Sequence, residues 1–279
     1  MLTTLMNYTT DGLVFSELGE EDRGDGGFPL HVHDDYEMHC ITHGSVRYLV
    51  EGSSYELHPG SLIIIKSAEL HRAVAKVGEY FERFTVNFTP ELIYKYGFDR
   101  SIMDAFVLKS PGERNLYEPR DFSGIEPLGL FKEMKESCLS GAHESVIVAY
   151  MAALLCSLNN SFHSQKAPAS RRRDDFEKRL VNSINERILE DVSLSSLSDE
   201  LHMSTSQINR IFRKLMGMSV YSYIVSKRLV MAQGMISRGE RASDASQACG
   251  FKDYSCFYRL YKKRFGVSPT EGKKINISI

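Results

Sequence analysis

The chain changes its apolar rhythm once along its length. From Leu30 to Phe88 short β-rich runs, among them Val46 to Val50, Leu62 to Ile65 and Phe84 to Phe88, alternate with turn signals at Gly44, Glu51-Gly52 and Pro59-Gly60. That pattern predicts a compact sandwich or barrel. Two helices follow, Pro127 to Ser140 and Ala142 to Phe162. The second has a wide apolar face made of Val146, Ile147, Tyr150, Met151, Leu154, Leu155 and Leu158. After the polar, Pro-containing stretch 164–174 everything reads as helix. Phe176, Leu180, Ile184 and Ile188 recur every four residues, so Asp175 to Glu190 is expected to be one amphipathic helix.

Next, Leu194, Leu197 and Leu201 share a face and the chain breaks at His202-Met203. Ser204 then caps a new helix, Thr205 to Met216, that buries Ile208, Ile211, Phe212 and Leu215 and stops before Gly217. Two helices joined by a short turn make a helix-turn-helix. The pattern repeats. Ser204, Ile208, Arg210, Phe212, Lys214 and Gly217 reappear 49 residues later as Asp253, Phe257, Arg259, Tyr261, Lys263 and Gly266, while ahead of the turn the offset is 48. The second turn has one extra residue, and Gly250 in that turn is expected to supply a backbone conformation that residues with a β-carbon disfavour. Between the copies, Ser219 to Ser237 reads as one connecting helix of about 28 Å, near the 34 Å or so that separates major-groove segments one DNA turn apart.

Charge sharpens this division. Among the 279 residues, the first 170 carry 14 Lys and Arg against 24 Asp and Glu, and the remainder carry 20 against 12. Only the C-terminal part is suited to phosphates. The start has no charged region followed by an apolar one, the longest apolar run (Val146 to Cys156) is too short for a bilayer, and five scattered cysteines fit buried thiols in a reducing compartment. A cytoplasmic protein without a membrane span is therefore expected.

The segments Leu194 to Phe212, Arg228-Leu229 and above all Gly250 to Pro269 (GFKDYSCFYRLYKKRFGVSP) resemble the AraC/XylS family of transcription regulators. The resemblance implies two helix-turn-helix units, about 193–217 and 241–266, joined by a linker helix at about 219–237 within a DNA-binding domain at 175–279. Carried onto this chain, it makes Ser206, Asn209 and Arg210 of the first unit, and Tyr254, Ser255 and Arg259 of the second, the residues that face bases. The chemistry agrees: arginine pairs with guanine O6 and N7, and asparagine with adenine N6 and N7. Arg213, Lys214, Lys262 and Lys263 lie farther along and suit phosphates. The chain departs from the family pattern at Ala242 and Ala245, where larger aliphatics are usual, and at Gly272-Lys273, so the second unit is expected to be less firmly packed.

In the N-terminal part, residues 1–163, the run from His31 and His33 to Glu37 and Gly44 resembles the first cupin motif, and Gly60 with His71 matches the second in spacing. The fold expected is an all-β, cupin-like jelly roll with appended helices, followed by the all-α domain. If the first strand is continuous, His31, His33, Glu37 and His39 share a face, and His71 joins them from another strand. Three readings stand open for this set: direct contact with a polar effector, a divalent metal site, or structural histidines. Lys66 and Ala68 occupy places where metal cupins have Pro and Gly. No cofactor is required by the favoured reading, in which a small molecule, commonly a sugar in this family, controls DNA binding by a homodimer, often as an activator that touches RNA polymerase. The rival is a metal-dependent cupin enzyme with an accessory DNA-binding domain. The favoured reading assigns no catalytic residue.

Overall fold

The structure is a computed structural model describing residues 2–21, 30–164, 175–190 and 192–271. The interdomain stretch 165–174, with Arg171 to Arg173, and the Gly272-Lys273 departure lie outside these. The chain divides into two compact units, one of residues 1–31, 35–67 and 71–171 and the other of residues 32–34, 68–70 and 172–279.

The first unit is a two-sheet sandwich. Among the described residues its strands are β1 (Leu2–Thr10), β2 (Leu13–Glu21), β3 (Tyr36–His43), β4 (Val46–Val50), β5 (Ser53–Leu57), β6 (Leu62–Ile65), β7 (His71–Val74), β8 (Tyr80–Phe88) and β9 (Leu116–Tyr117). One sheet has the order β1-β2-β8-β3-β6-β9, the other β5-β4-β7. The β1–β2 hairpin extends the β-rich region beyond the expected Leu30 start. Short helices α1 (Pro90–Lys95) and α2 (Asp104–Val107) precede α3 (Pro127–Leu139) and α4 (Glu144–Ser164).

Alternation along the larger sheet decides what lies on each side. Leu13, Phe15, Met38, Cys40, Leu62, Ile64, Phe84, Val86 and Phe88 point to one face and form a single core with Phe131 and Met134 of α3 and Ile147, Met151, Leu154, Leu155 and Leu158 of α4. Phe84 and Phe131 stack with centroids 5.8 Å apart and planes 2° from parallel. At 21 residues, α4 has the length and composition to cross a membrane, longer than its central apolar run suggests; most of its large apolar side chains lie in this core, whereas Val146, expected on the same face, is exposed. The opposite face of the sheet looks into the sandwich, where Ile41, Ile63, Ile65 and Phe81 meet Val46, Tyr48, Val50, Tyr55 and Leu57 of the smaller sheet. Of the five cysteines, Cys40 and Cys249 are buried whereas Cys156 is exposed, against the expectation of uniformly buried thiols.

The second unit is helical among its described residues. It contains α5 (Asp175–Glu186), α6 (Leu194–Leu201), α7 (Thr205–Met216), α8 (Val220–Ser237), α9 (Ala242–Ala248) and α10 (Tyr254–Phe265). The first of these stops four residues before the expected Glu190, because Ile188 and Glu190 donate three residues back, to Asn185 and Arg187, which tightens the chain into turns. The caps follow the sequence closely. Ser193 and Ser204 each accept from the third residue of their helices in reciprocal capping boxes, with Ser196 and Gln207 returning the bond. Asp253 caps α10, and Gly217 and Gly266 end α7 and α10 at φ 73° and 77°.

Candidate DNA-reading helices and a polar barrel interior

In the first helix-turn-helix, α6 and α7 are held by Leu197, Ile208, Phe212 and Met216, which are buried along with Leu180, Val181 and Ile184 of α5 and Val220, Tyr223 and Ile224 of α8. The Phe212 and Tyr223 rings meet edge to face at 5.2 Å. Ile211 and Leu215, expected in the core, are only half-buried. With that side of α7 committed to packing, Ser206, Arg210, Arg213 and Lys214 are all exposed. Asn209 stands apart from them. It is half-buried, and its Oδ1 accepts from the Val220 backbone N–H at 3.2 Å, so its carboxamide closes the start of the linker helix.

In the second helix-turn-helix, Ala245, Cys249, Phe257 and Tyr261 form a core with Leu229, Ala232 and Ile236 of α8, flanked by Phe251, Leu260, Phe265 and Val267. Successive ring centroids along Phe251, Phe257, Tyr261 and Phe265 are 5.1, 5.4 and 4.6 Å apart. The expected loose packing is therefore corrected: aromatic side chains on α10 fill the volume that the small side chains of α9 leave. Tyr254, Ser255, Arg259, Lys262 and Lys263 are exposed along α10. Gly250 adopts φ +78° at the turn, as its position requires.

The expected histidine set comes together by a route other than the continuous strand predicted for it. The chain bends at Asp34-Asp35 and β3 begins only at Tyr36, so His31 and His33 precede the strand. His31 reaches the set through an isolated antiparallel bridge to His71, with both backbone bonds at 3.0 Å. Donor atoms of His31, His33, Glu37 and His71 all lie within 4.8 Å of one another. Glu37 Oε2 is 3.0 Å from His71 Nε2 and 3.2 Å from His39 Nε2. Three imidazoles and a carboxylate at this separation match the donors that first-row divalent ions take. His39 lies one step farther in. Its Nδ1 is 2.9 Å from Thr85 Oγ1, and burial above all holds its pKa down to about 4 despite Glu37, leaving a neutral imidazole at neutral pH.

The polar surface continues along β2 and β8, where sequence reasoning placed nothing. Pairing across β2, β8 and β3 sets Leu18, Arg83 and Ile41 in one row, Ser16, Thr85 and His39 in the next, and Val14, Asn87 and Glu37 in a third. Arg83 is 8% exposed; its Nη2 pairs with Glu20 at 2.5 Å and its Nε donates to Thr85 at 3.2 Å. The guanidinium lies 6.0 Å from the Tyr48 ring centroid, and burial pushes the Tyr48 hydroxyl pKa up. Buried Glu20 Oε2, Arg83 Nη1 and Asn87 Oδ1 have no hydrogen-bond partner among the described residues. Alternation of Arg83, Thr85 and Asn87 with Phe84, Val86 and Phe88 was the available signal.

Comparison with known proteins matches separate models to the two ends of the chain. Residues 15–127 match the family model described as an AraC-like ligand binding domain, and residues 197–274 match a helix-turn-helix domain. The chain is 22% identical over 255 residues to the HTH-type transcriptional activator RhaS of Escherichia fergusonii, covering 88% of this chain and 87% of that one. It is 20% identical over 266 residues to the melibiose operon regulatory protein of Escherichia coli, covering 88% and 83%. Among solved structures, ToxT from Vibrio cholerae is similar with a TM-score of 0.42 and 13% identity, covering 97% of this chain and 100% of that one.

Proposed function

Because the chain belongs to the AraC family of DNA-binding transcription regulators, with a ligand-binding domain ahead of its helix-turn-helix domain, we propose that its activity is set by a polyhydroxylated small molecule, a sugar, bound on the inner face of β2, β8 and β3. One observation carries this reading: a set of buried donors and acceptors, Glu20, Arg83 and Asn87, with atoms that no group among the described residues satisfies. A sandwich that needed only stability would fill this space with apolar side chains, since each unmet buried polar group costs about 1–3 kcal/mol. Carboxylate, guanidinium and carboxamide together suit neighbouring hydroxyls, which donate and accept at once. Glu37, His39 and His71 extend the same surface, and His31 and His33 lie beside it. A relative named for a melibiose operon supports the carbohydrate class.

In this reading the protein works as a cytoplasmic homodimer. Ser206, Arg210, Tyr254, Ser255 and Arg259 face bases, with Arg213, Lys214, Lys262 and Lys263 on phosphates. Binding carries the function, not catalysis, and RNA polymerase is the partner through which bound protein activates transcription.

The test uses the full chain and a panel of mono- and disaccharides. At least one sugar should raise the unfolding temperature and change affinity for operator DNA. The paired change Glu20→Gln with Arg83→Met should abolish both responses and leave sugar-free DNA binding intact. No response to any sugar, or an undiminished response in the double variant, sinks the assignment.

The donor set of His31, His33, Glu37 and His71 favours a second reading, a divalent ion held beside the effector surface. Equilibrium dialysis with zinc or manganese should then give one equivalent bound per chain, lost in His71→Ala. Absence of stoichiometric binding removes the metal without touching the sugar reading.

A further inference from the structure

The linker helix belongs to two cores. Its first half gives Val220, Tyr223 and Ile224 to the first helix-turn-helix, and its second half gives Leu229, Ala232 and Ile236 to the other. Bending of α8 would let the two recognition helices shift relative to each other. At its middle stands Arg228, half-buried. Its Nε donates to the Ile188 carbonyl at 2.7 Å, its Nη2 to the Glu190 carbonyl, and its Nη1 to the Gly250 carbonyl at 2.8 Å. The first two carbonyls belong to the turns that follow α5, where the partial negative charge of a helix end favours a cation. The third belongs to the turn of the second helix-turn-helix.

Gly250 completes the contact. A Cβ at this position would fall 2.5 Å from the Leu189 carbonyl oxygen and 3.0 Å from Arg228 Cζ, so the second turn meets residues 188–190 through bare backbone. Three carbonyls on two segments, residues 188–190 and Gly250, suit the planar fork of a guanidinium; a lysine ammonium is a point charge on a flexible stem. We infer that Arg228 is a positioning residue which, through the Ile188, Glu190 and Gly250 carbonyls, fixes the separation and rotation of α7 and α10 and thereby the spacing between the two blocks of bases the protein selects. The inference rests on the reading that both units contact DNA, and it is independent of any effector.

The test is selection by the full chain from duplexes carrying two randomised blocks joined by spacers of varied length around one helical turn. Wild-type protein should recover two blocks at one preferred spacer. Arg228→Lys and Arg228→Ala should keep the base preferences within each block, lose the spacer preference, and bind the best two-block duplex about tenfold or more weaker, since hydrogen bonds from a charged group are the stronger class. Duplexes with a single block should be bound as by wild type. Gly250→Ala should reproduce this pattern with no charge removed. An unchanged spacer preference in both Arg228 variants overturns the inference. Loss of base preference within blocks together with a lowered unfolding temperature also overturns it, because the residue is then only a structural tie. A wild-type selection yielding one block and no spacer removes the two-unit premise, and this is seen before any variant is compared.

Discussion

The two helix-turn-helix units share a repeat yet solve their packing in opposite ways. In the first, the scaffold helix contributes large aliphatics, Leu197 fully buried and Leu194 and Leu201 half so, against Ile208, Phe212 and Met216 of α7. In the second, the scaffold helix supplies Ala242, Ala245 and Cys249, and the bulk comes from Phe257, Tyr261 and Phe265 on the recognition helix with Phe251 from the turn. Volume summed across facing positions is what a core conserves, so reading one helix alone misjudges how tightly a pair is held.

The sharpest way to break this comparison is to delete the aromatic filler. Phe257→Ala should cost about 3–5 kcal/mol and Leu197→Ala about 2–5 kcal/mol, both measured by denaturant unfolding. A Phe257→Ala loss under about 1 kcal/mol would show that the aromatic series is not a core and would restore the loosely packed second unit. If both recognition helices are equally firm, Arg210→Ala and Arg259→Ala should each cost about 1–3 kcal/mol of discrimination against a mismatched site at fixed salt. Their losses should agree within about threefold in affinity ratio; a much smaller loss for Arg259→Ala would return specificity to the first unit. The smallest effect lies at the turns. Where the second turn has Gly250, the first holds exposed His202 in the left-handed region at φ 51°. His202→Gly should raise stability by about 0.5 kcal/mol, relief of that strain outweighing the added freedom of the unfolded chain. A destabilised variant would mean that the imidazole makes a contribution of its own.

These contrasts mark what the sequence makes legible. Caps at Ser204, Gly217 and Gly266 and the positive φ of Gly250 follow from residue type alone, because each answers a local backbone demand. The β1–β2 hairpin was equally readable from Asp11-Gly12, a strong hairpin signal, but β1 is rich in threonine and β2 opens on three consecutive apolar residues, Leu13 to Phe15, so neither strand shows a clean apolar alternation. The barrel interior misleads for a different reason. Alternating polar and apolar residues along β8 suggest a strand with one face in water, whereas its apolar face is covered by helices and its polar face is enclosed. Only the pairing of strands distant in sequence places Arg83 beside Glu20 and Thr85 beside His39. Asn209 shows the limit of a carried-over role: matching a motif position fixed its helix, while the Val220 amide that engages its side chain is set by the approach of α8. With Oδ1 so occupied, its free Nδ2 suits a single donor contact to an acceptor on a base edge better than the paired contact to adenine.

The shared linker helix also governs how the DNA-binding unit comes apart. Neither hydrophobic core is complete without its half of α8, so melting that helix exposes Tyr223 and Ile224 together with Leu229 and Ile236. A chain built this way is expected to lack a stable half-folded form in which one helix-turn-helix survives after the whole of α8 has melted. Its unfolding is cooperative across both copies of the repeat, and hydrogen exchange along α8 reports the global opening of the whole unit.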